Sequence, residues 1–225
     1  MRALLWKDLR VMRVVLAYAF SVLLCVYAVG CLINVYSQWR YGFPARDWSS
    51  MLFICAMCSL GLELPAAAML GGCSFAAERA DRAAEFMAYL PVSRGKVVLS
   101  KAALTLSVLG LVWVVNLAVL FAVESRIELS DSSSSIGTTT QVLVAICACM
   151  FGVAWFCSAM VNSHALATCL GIIIPLLLGG IVFFVSDTFG LSQAIIDHWF
   201  PRCCGALGAI GFLLGWRHYL HRVEP

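Results

Sequence analysis

Charge is what this sequence has least of. Asp, Glu, Lys and Arg make up 12% of its 225 residues, well short of the roughly 25% carried by soluble globular domains. Hydrophobic residues make up 62% and the mean hydropathy is +0.93. A soluble chain of this length shows water much of its side-chain surface, so such a composition excludes that class. The motifs of several soluble chemistries are missing too. No Gly-x-x-x-x-Gly-Lys-Ser/Thr phosphate loop occurs, so the chain does not split ATP by that route. Neither His-Glu-x-x-His nor Gly-x-Ser-x-Gly is present. Acids and bases are also absent from the interior of the apolar runs, apart from Glu63. A membrane enzyme would need several such groups, which disfavours a small intramembrane hydrolase or lipid transferase.

What is present is a series of apolar runs close to the roughly 20 residues that a helix needs to cross a bilayer. They cover 14–35, 51–75, 102–123, 142–161 and 165–185, followed by a shorter run from 203. That last one extends to about 220 and crosses fully only if Arg202 and Arg217 snorkel to opposite interfaces. The runs are continuous and lack the alternation of a barrel strand, which predicts helices. The expected fold is an all-α integral membrane protein with six transmembrane helices and one domain over residues 1–225. With both termini on the cytoplasmic side, 11 of the 15 Lys and Arg fall inside, in keeping with the positive-inside bias. Glu124–Gln141, rich in Ser and Thr, is expected to be an outer connector. The segment 193–201, QAIIDHWFP, reads as an outer interfacial or re-entrant piece.

Residues 2–13 predict an amphipathic helix lying in the membrane surface. Leu5, Leu9 and Met12 would face down beside Trp6, with Lys7 and Arg10 toward the headgroups. The alternatives are a plain cytoplasmic tail, or the n-region of a signal peptide cleaved near Cys31. The apolar run is too long for an ordinary signal peptide, and cleavage would spoil the charge parity. Nine of the 11 cysteines lie inside apolar runs, where a thiol behaves as a small hydrophobe. Cys55 and Cys58 have CxxC spacing without polar partners nearby, and Cys203 with Cys204 is the pair most open to oxidation. Glu63 lies near the middle of the second run with Pro65 two residues on. It reads either as a polar contact on a transport path or dimer seam, or as a protonated acid bonded to a neighbouring helix.

The densest run of charge is ERADRAAEFMAYLPVSRGKVVLSK, residues 78–101. Ala80, Ala83, Ala84 and Met87 follow helical spacing, with Glu78, Asp81, Arg82 and Glu85 on the other side. Glu78 and Arg82 are spaced for an ion pair. Pro91 stops the helix by Leu90, and Ser93 is placed to cap the next one. A bare connector would be shorter, and an aromatic end beside charges suits docking better than solvation.

From Ser74 to Leu104 the chain resembles the first cytoplasmic loop of permease subunits of type-2 ATP-binding-cassette (ABC) transporters. Glu78-Arg79, Glu85, Pro91-Val92-Ser93-Arg94 and Lys101 follow that family's order, while ADRAA stands where a Gly-Thr step is common. LLWKDLRVMR, residues 4–13, resembles the family's amphipathic N-terminal helix. The resemblance implies a permease without enzymatic activity of its own, paired with a second permease as a homodimer or heterodimer. It also implies a separate ATPase subunit that holds the ATP and magnesium, and an exporter in a bacterial plasma membrane with an unidentified substrate. Residues 78–90 would be the coupling helix, docking through Glu78, Arg79, Asp81, Arg82, Glu85, Phe86 and Tyr89. The competing reading is a membrane anchor or assembly factor whose charged loop recruits a soluble partner.

Overall fold

The computed structural model describes residues 2–41, 48–80, 93–124, 133–190 and 192–222. Among them are seven helices: α1 (Arg2–Val11), α2 (Arg13–Tyr41), α3 (Trp48–Ala80), α4 (Arg94–Glu124), α5 (Ser133–Met160), α6 (His164–Phe189) and α7 (Gln193–Arg222). Five of these, α2 to α6, are long and apolar enough to cross a membrane. The chain is thus an all-helical membrane protein. The sixth expected span does not reach that standard of composition, because the apolar stretch of α7 is bracketed closely by Arg202 and Arg217. It is nevertheless one helix of 30 residues, about 45 Å long at the α-helical rise.

The helices extend beyond the expected ends of the apolar runs, except at the end of α5, which stops at Met160, because a helix continues into the interface once its core section has formed. Two expected connectors change character for this reason. Ser133–Gln141 begins α5 instead of belonging wholly to an irregular loop. QAIIDHWFP forms the first turns of α7, not a separate interfacial piece. Its direction is set by Gly190, which closes α6 in the left-handed region (φ 60°) and donates its N–H to the Ser186 carbonyl. A residue with a Cβ would be strained there. At the other end of α6, the Ser163 hydroxyl caps the helix by accepting from the Leu166 N–H at 3.3 Å.

α5 is the centre of the bundle, flanked by α3, α6 and α7. Its contact with α7 is very close: a Cβ built on Gly152 would collide with the backbone carbonyl of Gly208. Small residues permit such backbone approach in membranes, where packing and not hydrophobic exclusion drives association. α2 and the outer face of α6 carry large exposed side chains, among them Leu24, Leu32, Phe183 and Phe184, as a lipid-facing surface requires. Between α3, α5 and α7 runs an aromatic stack. Phe75 meets Trp155 edge-on at 4.7 Å and Tyr219 face-on at 4.5 Å, and Trp155 lies 5.1 Å from Phe212.

Candidate functional site: a buried ion cluster

The helices alternate in direction, so one end of the bundle gathers α1, the end of α3, the start of α4 and the ends of α5 and α7. Four charged side chains meet there. The Lys101 ammonium lies 3.0 Å from Glu78 Oε1 and 3.5 Å from Asp8 Oδ1. Lys7 also pairs with Glu78 and lies 3.7 Å from Asp8 Oδ1. The second oxygen of Asp8 accepts from the Ser100 hydroxyl at 2.7 Å. Asp8, Glu78, Ser100 and Lys101 are buried, and Lys7 is half-buried. Among the described residues its two acids and two bases balance, the arrangement under which charge tolerates burial. Its floor is aromatic, with Lys101 standing 5.8 Å above the centroid of Phe75.

Arg79 adds a tie to the centre of the bundle. Its guanidinium donates to the carbonyl of Ser158, and the Ser158 hydroxyl accepts from the backbone N–H of Phe75 and Ala76 at 2.8 and 3.1 Å. Both flanks of the 81–92 segment are therefore anchored: Glu78 and Arg79 just before it, Ser100 and Lys101 one helical stretch after it.

These placements correct parts of the sequence reading. Glu78 was expected on the polar face of a docking helix and Arg79 among its docking residues, but both form the last turn of α3 and point inward, because two bases and a carbonyl lie within reach. Glu78 pairs with Lys7 and Lys101; Arg82, its expected partner, lies outside the described residues. Asp81, Arg82, Glu85, Phe86 and Tyr89 lie outside the described residues, as does the side chain of Leu5. Lys7 turns into the cluster and not toward headgroups. Met12 is buried against the bundle, while Trp6, Leu9 and Arg10 stay exposed. Asp8, the residue that draws α1 down, was not singled out. Its only signal in sequence is an acid inside an otherwise basic amphipathic segment.

Glu63 is fully buried in α3, which runs through Pro65, and among the described residues neither carboxyl oxygen has a hydrogen-bond partner. The expectation that a neighbouring helix would bond it is not met. One turn away, the buried Ser59 hydroxyl is unpartnered as well. Elsewhere in the spans, Tyr27 donates to Asn116 Oδ1 at 2.9 Å, tying α2 to α4. Cys55 is buried and Cys58 exposed, so that pair does not share one environment. Cys203 is exposed while Cys204 is buried; successive residues of a helix diverge by about 100°, which separates the two thiols.

Comparison with protein-family models, curated proteins and solved structures finds no match to this chain.

Proposed function

We propose that this chain is the membrane-spanning permease of an ATP-driven transporter of the type-2 ABC class, working as an exporter with a separate ATPase subunit. The observation that carries the reading is the anchoring of both flanks of the charged 81–92 segment in one buried ion cluster. A partner that moves this segment pulls on the ends of α3 and α4 together, and through Asp8 and Lys7 on α1. Isolated surface charges would transmit little, since each exposed pair is worth at most about 1 kcal/mol. A buried, neutral, four-membered network resists separation, because breaking any pair strands a charge away from water.

In this reading α7 crosses as a sixth span, so both termini lie on the cytoplasmic side with the ion cluster. α1 rests at the membrane surface with Trp6 and Leu9 toward lipid. Phe86 and Tyr89 supply the apolar contact to the ATPase, with Asp81, Arg82 and Glu85 around it. ATP and magnesium belong to that partner. A second permease completes the translocation path, with Glu63 as a polar contact on it, in a bacterial plasma membrane. The same cluster would serve an anchor that merely recruits a soluble protein, so the deciding measurement is coupled hydrolysis.

The test is affinity purification of the full chain from its native membranes, followed by ATPase assay and reconstitution. An ATPase subunit should copurify, and a Phe86→Ala, Tyr89→Ala double variant should lose most of the assembly and of the hydrolysis it supports. Absence of any ATPase, or full assembly and hydrolysis in the double variant, overturns the proposal. A copurifying soluble protein without ATP hydrolysis selects the anchor.

A further inference from the structure

The end of the bundle opposite the ion cluster opens differently. α7 packs along α5, whereas α4 packs on α3 and α1 and stands off from α5, leaving two adjoining cavities of about 980 and 520 Å³. Leu117, Val144, Ala148 and Gly205 line both, so together they form one groove along the membrane-facing side of α5. Its deeper part is walled by Leu106, Trp113, Cys147, Phe151 and Phe212. Polar groups gather at its rim: Thr140, Gln141, His198 and Arg202. Among the described residues, no acidic side chain lines it.

The rim lies at a consistent depth on all three helices. Gln141 directly precedes the apolar run of α5, Arg202 directly precedes that of α7, and Phe121 sits within one turn of Glu124, which closes α4. Arg202 is exposed, and its guanidinium donates to His198 Nε2 while lying 5.8 Å from the centroid of Trp199. An exposed Trp beside a cation is the pattern of a membrane–water interface, where an aromatic ring sits at headgroup level. The groove thus offers a cationic, hydrogen-bonding mouth at headgroup depth and an apolar trough running toward the middle of the bilayer.

We infer that this groove binds a membrane phospholipid with an anionic headgroup, the phosphate on Arg202 and Gln141 and an acyl chain laid between α4 and α7. The charge fits: a guanidinium pairs with phosphate in a forked geometry that a zwitterionic headgroup satisfies less fully. The shape fits as well, since the trough is lined by apolar side chains, of which Leu106 and Phe121 are exposed. A second copy of this chain would have to present an acid at the rim and an apolar ridge below it. The site stands apart from the ATPase reading and is measurable on the chain alone.

Gly205 gives a clean means of testing it. A Cβ at this position meets nothing within 4 Å, unlike Gly208 and Gly211, which press on the backbone of α5. Gly205→Phe therefore fills the groove without disturbing the helix contact. The experiment is native mass spectrometry of the detergent-purified full chain, titrated with phosphatidylglycerol and with phosphatidylcholine carrying the same acyl chains. The wild type should retain phosphatidylglycerol about tenfold more strongly, the value of one good charge-assisted contact. Arg202→Gln should bring the two lipids within about twofold of each other, and Gly205→Phe should weaken both by about tenfold. Equal retention of the two lipids by the wild type overturns the inference, as does unchanged binding in Gly205→Phe, which would leave only a surface charge. A dimer that forms through the groove and excludes lipid overturns it too.

Discussion

Removing the Lys101 ammonium is the sharpest perturbation of the ion cluster. At an effective dielectric of about 20, the 3.0 Å separation from Glu78 is worth about 5.5 kcal/mol of attraction, and the 3.5 Å separation from Asp8 about 4.7 kcal/mol. Desolvation of the ammonium offsets much of this, several kcal/mol per buried ion. Lys101→Met fills similar volume but leaves two buried acids facing Lys7 alone, so the expected loss of stability is about 3–5 kcal/mol. Glu78→Leu leaves the opposite imbalance and should cost a similar amount. Together the two substitutions leave Lys7 with Asp8, a neutral pair, and the double variant should lie within about 2 kcal/mol of wild type, a coupling of roughly 3 kcal/mol or more. Reversible unfolding in mixed micelles, followed by tryptophan fluorescence, measures all four corners of the cycle. If the two losses simply add, the charges are not acting as one buried network, and the mechanical role assigned to them falls.

Three further perturbations test the bundle. Gly152→Leu should cost about 3 kcal/mol or more by forcing α5 off α7, whereas Gly180→Leu, where a Cβ meets nothing within 4 Å, should cost less than about 1 kcal/mol in the same unfolding assay. Glu63→Leu should raise stability by about 1–3 kcal/mol, by removing a buried acid without a partner, while abolishing transport; unchanged transport in both Glu63→Leu and Glu63→Gln refutes its place on the path. In a cysteine-free background, Lys96→Cys and His221→Cys should react with an impermeant maleimide from one side of the membrane and Gly137→Cys from the other. Reaction of His221→Cys from the Gly137→Cys side would leave only five crossings.

The architecture was largely legible because helix formation in a membrane depends on local composition. Each apolar run from 14–35 to 165–185 falls on one helix of its own, to within a residue at the end of α5, and α7 contains the sixth. The ends were less legible. Where Gly190 turns the chain or where α5 begins among serines depends on backbone geometry and on packing by neighbours, not on hydropathy. The ion cluster could not be read at all from local pattern: Asp8 and Lys101 are brought together only by the docking of α1 on α4, and Glu78 looked like a surface residue because its partners are distant in the chain. Glu63 and Pro65 were conspicuous for the opposite reason, since one acid in an apolar run stands out without any knowledge of the fold.

The neutrality of the cluster also bears on how the chain is made. Synthesis delivers Lys7 and Asp8 first, then Glu78, and Lys101 only after a second apolar helix has emerged. Until then the acid of α1 has no base to meet except its own neighbour, and Glu78 has Lys7 but not yet Lys101. The contacts of α1 with α4 can therefore form only once the start of α4 is in place, and a chain that lacks α4 leaves Asp8 without both Ser100 and Lys101.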